Sequence, residues 1–100
     1  MQLTVLRAIP QNQFILIKDL NVAQLTELQT ALNFLGYPAG DIDGKYGPKT
    51  RNAWAEFVDD VHQGDSESIN AESVNKLQQM LDEGKPIHAH DFSTPDGTIA

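Results

Sequence analysis

The connection LNFLGYPAGDIDGKYGPKTRNAW, residues 32–54, joins two apolar helical patterns through four glycines, two prolines and two aspartates, and it carries three of the chain's seven cations. Before it, Val22, Leu25, Leu28, Leu32 and Leu35 recur at steps of three and four residues, the spacing that lines one face of a helix. After it, Ala53, Trp54, Phe57, Val58 and Val61 resume such a stripe, with Lys49, Arg51, Asn52, Glu56, Asp59 and Asp60 on the other side. Two helices whose apolar faces must meet need a sharp reversal, and Gly36, Gly40, Gly44 and Gly47 can take backbone angles closed to other residues. The ends are written locally as well. Asn21 with Gln24 reads as a capping box, Gly36 as a helix stop, and Gly47-Pro48 as a helix start, because proline has no N–H to leave unsatisfied in a first turn.

A third helix is expected from about Ala71 to Glu83, capped by Asn70, with Val74, Leu77 and Leu81 inward and Gly84 and Pro86 as its stop. The fold class is therefore mainly α, a three-helix bundle. At its front, Leu3, Val5 and the run Phe14-Ile15-Leu16-Ile17 flank Pro10-Gln11-Asn12-Gln13, a pattern of either a small β-hairpin or an extended arm that covers an open face of the bundle. At its back, KPIHAHDFSTPDGTIA has no period and reads as a tail or linker. The expected organisation is an arm or hairpin over 1–20, a three-helix domain over 21–84 and a flexible tail over 85–100.

Charge narrows the partners. Fourteen acidic against seven basic residues give a formal charge of -7, which repels nucleic acid phosphates and anionic lipid head groups, so neither nucleic acid nor membrane is an expected partner. There is no cysteine, hence no disulfide framework and no thiolate site. The start MQLTVLRAIPQNQ lacks the basic head and long apolar run of a secretory signal, which points to synthesis in the cytoplasm and export, where needed, by another route.

Chemistry-bearing patterns are sparse. Asp41-x-Asp43-Gly44 invites a calcium reading, but an EF-hand loop from Asp41 would need glycine at Tyr46 and glutamate at Asn52. His88-x-His90-Asp91 could offer zinc ligands but lies in the tail without a third fixed one. No nucleophile elbow, phosphate loop or H-E-x-x-H pair is present, and His62 with Glu67 has no visible orienting partner. No catalytic residue, metal or cofactor is expected.

The run Leu28-Gln29, Leu32, Leu35-Gly36-Tyr37, Asp43-Gly44, Tyr46-Gly47, Thr50, Ala53-Trp54 and Phe57 resembles, in order and spacing, the peptidoglycan-binding domain-like repeat. A weaker likeness continues through Ile69-Asn70, Ser73-Val74 and Leu77, so that it spans about residues 21–83. The chain departs from the pattern at His62-Gln63, where Gly-Leu is usual, and at Glu67, where glycine is common. The resemblance implies a noncatalytic module that binds peptidoglycan or muropeptide at the bacterial cell wall, attached to or partnering a wall hydrolase such as an endolysin. A competing reading keeps the fold as a protein-interaction or structural module without wall binding; the acidity and the altered second loop favour it.

For wall binding the candidate ligand residues are Tyr37, Asp43, Lys45, Tyr46, Lys49, Arg51 and Asn52. Lys45, Lys49 and Arg51 gather on and beside the loop of an otherwise acidic chain, where they can hold stem-peptide carboxylates, and Tyr37 and Tyr46 offer rings for stacking. Each has a plainer reading too. Asp43 can serve the turn and the start of the second helix, the cations can be solvated surface, and Thr50 and Trp54 can be packing residues.

Overall fold

Asn21 caps the first helix as its sequence demands. In the computed structural model, which describes residues 1–62 and 64–83, its side chain accepts from the Gln24 amide at 2.8 Å while Gln24 Oε1 accepts from the Asn21 amide at 2.9 Å. Helix α1 then runs over Val22–Phe34. It ends with Gly36 at φ +94°, where the Tyr37 amide donates to the Leu32 carbonyl (2.9 Å) and the Gly36 amide to that of Asn33 (3.1 Å). Those two bonds satisfy carbonyls that the helix would otherwise leave open. Helix α2 spans Pro48–Val61 with proline in its first turn, and α3 spans Ala71–Glu83, where Asn70 accepts from the Ser73 amide at 2.9 Å. The mainly helical fold expected from the stripes is what the chain adopts.

Leu25, Leu28, Leu32 and Leu35 of α1 and its end meet Ala53, Trp54 and Phe57 of α2 and Val74, Leu77, Met80 and Leu81 of α3 in one core. Trp54 stacks on Phe57 with ring centroids 5.0 Å apart, and its indole N–H donates to the carbonyls of Asp65 and Ser68, both at 3.0 Å. The tryptophan thus fills the interior and fastens the α2–α3 connection to it. Val22 is the exception on α1, with 67% of its surface exposed. It sits in the first helical turn beside the loop at Gly44 and not over the core.

The first twenty residues pack on the bundle and carry one strand of a small antiparallel pair. Leu3, Leu6, Ile9, Ile17 and Leu20 are buried in the common core, and a 3-10 turn at Leu6–Ala8 lies against α1 and α3. Strand β1, Phe14–Leu16, pairs antiparallel with β2, Ser68–Asn70, in the register Phe14 to Asn70, Ile15 to Ile69 and Leu16 to Ser68. The strand's partner therefore comes from the segment just before α3, far along the sequence. Polar clamps fix the rest of the arm. Glu27 accepts from the Thr4 and Leu6 amides at 2.9 and 2.8 Å, and Gln78 accepts from the Leu3 amide at 2.8 Å while donating to the Met1 carbonyl. Gly84 and Pro86, the tail over 85–100 and the His88, His90, Asp91 pattern lie outside the described residues.

Candidate functional site

The loop between α1 and α2 is hung on two side-chain amides one helical turn apart. Gln29, almost wholly buried, accepts with Oε1 from the amides of Asp43 (3.1 Å) and Gly44 (2.9 Å). Its two Nε2 hydrogens are shared among Asp43 Oδ1, the Lys45 carbonyl and Thr50 Oγ1, at 3.2, 3.0 and 3.0 Å from the nitrogen. Asn33, four residues on, accepts from the Ala39 amide and donates to the Gly40 carbonyl, both at 2.9 Å. Residues four apart share a helix face, so the pair grips both halves of the loop from one side.

Gly44 lets the loop come that close. It has φ +70°, and a Cβ there would lie 2.7 Å from Val22 Cγ1 and 3.1 Å from the Val22 carbonyl oxygen. Gly47 differs from the expectation that all four loop glycines need special angles. Its φ of -160° and ψ of 176° are extended values open to any residue, and no heavy atom would meet an added Cβ.

Asp43 takes the turn-building role. Its Oδ1 accepts from the Lys45 amide at 2.9 Å as well as from Gln29. The Lys45 amide bond, ahead of the opposing effect of desolvation, the Gln29 bond and the Lys45 charge, sets its carboxyl below the usual range. Thr50 is buried and spends its oxygen on Gln29. Against this scaffold opens a groove of about 360 Å³, lined by Asp41, Asp43, Lys45, Lys49 and Thr50 together with Ala39 and Pro48. Lys49 also borders a second depression of about 330 Å³ with Pro38, Gly40, Asn52 and Glu56.

The structure therefore brings Asp43, Lys45 and Lys49 together and sets Asn52 beside them, across Lys49. Tyr46 is 39% exposed and lies outside both linings. Tyr37 is a core residue, with its ring edge-on to Phe57 at 6.0 Å and its hydroxyl donating to Asp60 Oδ2 at 2.8 Å. No ring face is left there for stacking on a sugar. Burial first, and then the bond to Asp60 and the Asp60 and Glu56 charges, push that hydroxyl's pKa up. Arg51 turns to the other connection and donates through Nη2 to Glu67 Oε2 at 2.8 Å, with both side chains about half exposed (49% and 50%). Among the described residues neither Lys45 nor Lys49 closes a salt bridge. Gln63 of the altered second loop falls outside the described residues, while His62 ends α2 in a left-handed conformation, φ 54°.

Sequence reasoning missed Gln29 and Asn33 as organisers. A signal for Gln29 was present: a polar residue four after Leu25 and three before Leu32 falls on the buried side of α1. A polar group in such a place needs partners. No curated protein and no solved structure matches the chain. The resemblance read from the residues is shown over the stretch that builds the groove: residues 21–57 match the family model described as "Putative peptidoglycan binding domain".

Proposed function

We propose that the chain is a noncatalytic module that binds peptidoglycan through the face formed by the loop over 37–47 and the start of α2. The observation that carries this reading is a coincidence of two spans: every residue lining the groove lies inside the stretch that matches the family. In this reading Lys45 and Lys49 hold carboxylates of the stem peptides by charge-assisted hydrogen bonds, while Asn52 and the half-open ring of Tyr46 contribute at the margin. Asp43 contributes by shaping the loop. Because Gln29 and Asn33 already hold the backbone, little order has to be imposed on binding. The site of action is the cell wall, where such a module raises the local concentration of an attached or partner hydrolase, with residues after 84 as the link. The arm over 1–20 and the bundle act as one unit.

A second reading, a protein-interaction module with the same fold, draws support from the Arg51–Glu67 bond, which removes one cation from the ligand set. Sedimentation with purified sacculi separates the two. Wall binding predicts that the protein pellets, that Lys45→Gln with Lys49→Gln releases it to the supernatant, and that Arg51→Gln changes little. A wild-type protein that stays in the supernatant overturns the first reading in favour of the second. Turbidity of a cell-wall suspension should stay constant, and a steady fall would overturn the noncatalytic assignment.

A further inference from the structure

Lys49 is a wall shared by the two depressions, with Asp41, Lys45 and Thr50 on one side and Pro38, Asn52 and Glu56 on the other. Its stem lies over Gly40, where an added Cβ would stand 2.8 Å from Lys49 Cδ. Lys49, Asn52 and Glu56 are spaced by three and four residues, so they form one row along α2. At 1.5 Å per residue, Glu56 stands about 10 Å further along the helix than Lys49. The row changes character over that length. At one end Lys45 and Lys49 balance the carboxylates of Asp41 and Asp43, the latter turned to the loop through Oδ1, and the start of α2, which no side chain caps, tips that end positive. At the other end stands the carboxylate of Glu56, with the neutral amide of Asn52 between. Neither lining contains an aromatic ring, the usual platform for a sugar face.

We propose that the two depressions form one site for a short, extended, zwitterionic peptide segment, its carboxylate between Lys45 and Lys49 and its ammonium against Glu56. Three extended residues, at about 3.3 Å each, span the distance. This rests on the wall-binding reading, which already places a peptide carboxylate at the two lysines, and adds to it a partner for the ammonium and a direction along α2.

The test is an NMR titration of the isotope-labelled chain with trialanine, N-acetyl-trialanine and trialanine amide. Trialanine should shift the amide signals of Lys49, Asn52 and Glu56 together. Each blocked form should bind about two- to fivefold more weakly, the range for an exposed ion pair. Glu56→Gln should erase the difference between trialanine and its N-acetyl form, and Lys45→Gln with Lys49→Gln the difference between trialanine and its amide. Equal affinity for the three forms, shifts confined to one depression, or no shift with any form overturns the inference. Sacculus sedimentation reads the underlying proposal separately. Pelleting without discrimination among the peptides rejects the peptide site alone, whereas discrimination without pelleting rejects wall binding alone.

Discussion

Gln29 should be the most costly polar residue to lose from this fold, and Gln29→Met tests it, since methionine keeps the volume and removes the amide. Five hydrogen bonds go with it. The bonds to the Gly44 amide and to Thr50 are buried, and the three to Asp43 and Lys45 are part-buried. A buried donor left without an acceptor costs about 1–3 kcal/mol, which applies to the Gly44 N–H. Thr50 can rotate its hydroxyl, and water can reach the part-buried partners, so these add roughly 1 kcal/mol in all. The total, about 2–4 kcal/mol, is a large share of what a domain of this size has to spare. It corresponds to a fall in Tm of about 10–25 °C.

Thermal unfolding followed by the fluorescence of Trp54, the single tryptophan and a fully buried one, measures the fall. A loss below about 4 °C would show that the loop does not depend on the amide. Gln29→Glu sharpens the test because it keeps an acceptor for the two loop amides but sets a carboxylate against Asp43 Oδ1, 3.2 Å from the present nitrogen. Burial and that neighbour raise the new acid's folded pKa above its unfolded value. The deficit relative to wild type should then be full at neutral pH and close as pH falls through the raised value, since a protonated acid carries no charge to bury. A deficit independent of pH would contradict the geometry.

Three further outcomes follow from the packing. Deleting residues 1–20 removes Leu3, Leu6, Ile9, Ile17 and Leu20 from the core, at about 1.5–3 kcal/mol each, and circular dichroism of residues 21–100 should show no cooperative transition. Gly44→Ala should cost about 2–4 kcal/mol, from a left-handed angle and a contact with Val22, whereas Gly47→Ala, which gives up only the preference for glycine over alanine at a helix N-cap, should cost no more than about 1 kcal/mol in denaturant unfolding. Burial acts to raise the Glu27 pKa, but the Leu6, Thr4 and Val5 amides outweigh it and hold the carboxyl below its usual value. Glu27→Gln should therefore lower stability by about 1 kcal/mol at neutral pH, a figure discounted for the partly open site, and that gap should vanish as pH falls through the depressed value.

The sequence carried the parts of this fold that short-range physics decides. The Asn21–Gln24 box, Pro48 in a first turn, the Asn70 cap and the stripe through Trp54 and Phe57 each depend on neighbours within a turn or two. What it did not disclose are pairings between distant segments. Nothing near Phe14 names Asn70 as its strand partner, and nothing near Arg51 says that Glu67 will draw it from the groove. Tyr37 stands in a glycine-rich loop, yet one residue past the α1 stop its ring is buried in the core, where Asp60 of α2 accepts from its hydroxyl. Gly47 shows the reverse error, since a glycine beside a proline invites a conformational reason that an extended backbone does not require.

A division of labour within the loop follows. The polar groups that build it, Gln29, Asn33, Thr50 and the carboxylate of Asp43, point toward α1 or the loop backbone and are tied to one another or to amides. The side chains that meet the groove without such ties, Lys45 and Lys49, extend from backbone that is already fixed by others. Surface changes of that kind usually move stability by less than about 0.5 kcal/mol. Binding and folding should therefore come apart by residue. Neutralising Lys45 and Lys49 should abolish pelleting with sacculi while Tm stays within a few degrees, whereas Gln29→Met should lower both together. If loss of the two lysines lowered Tm as far as loss of Gln29 does, the cations would belong to the scaffold, and the groove would have to find its ligand contacts elsewhere.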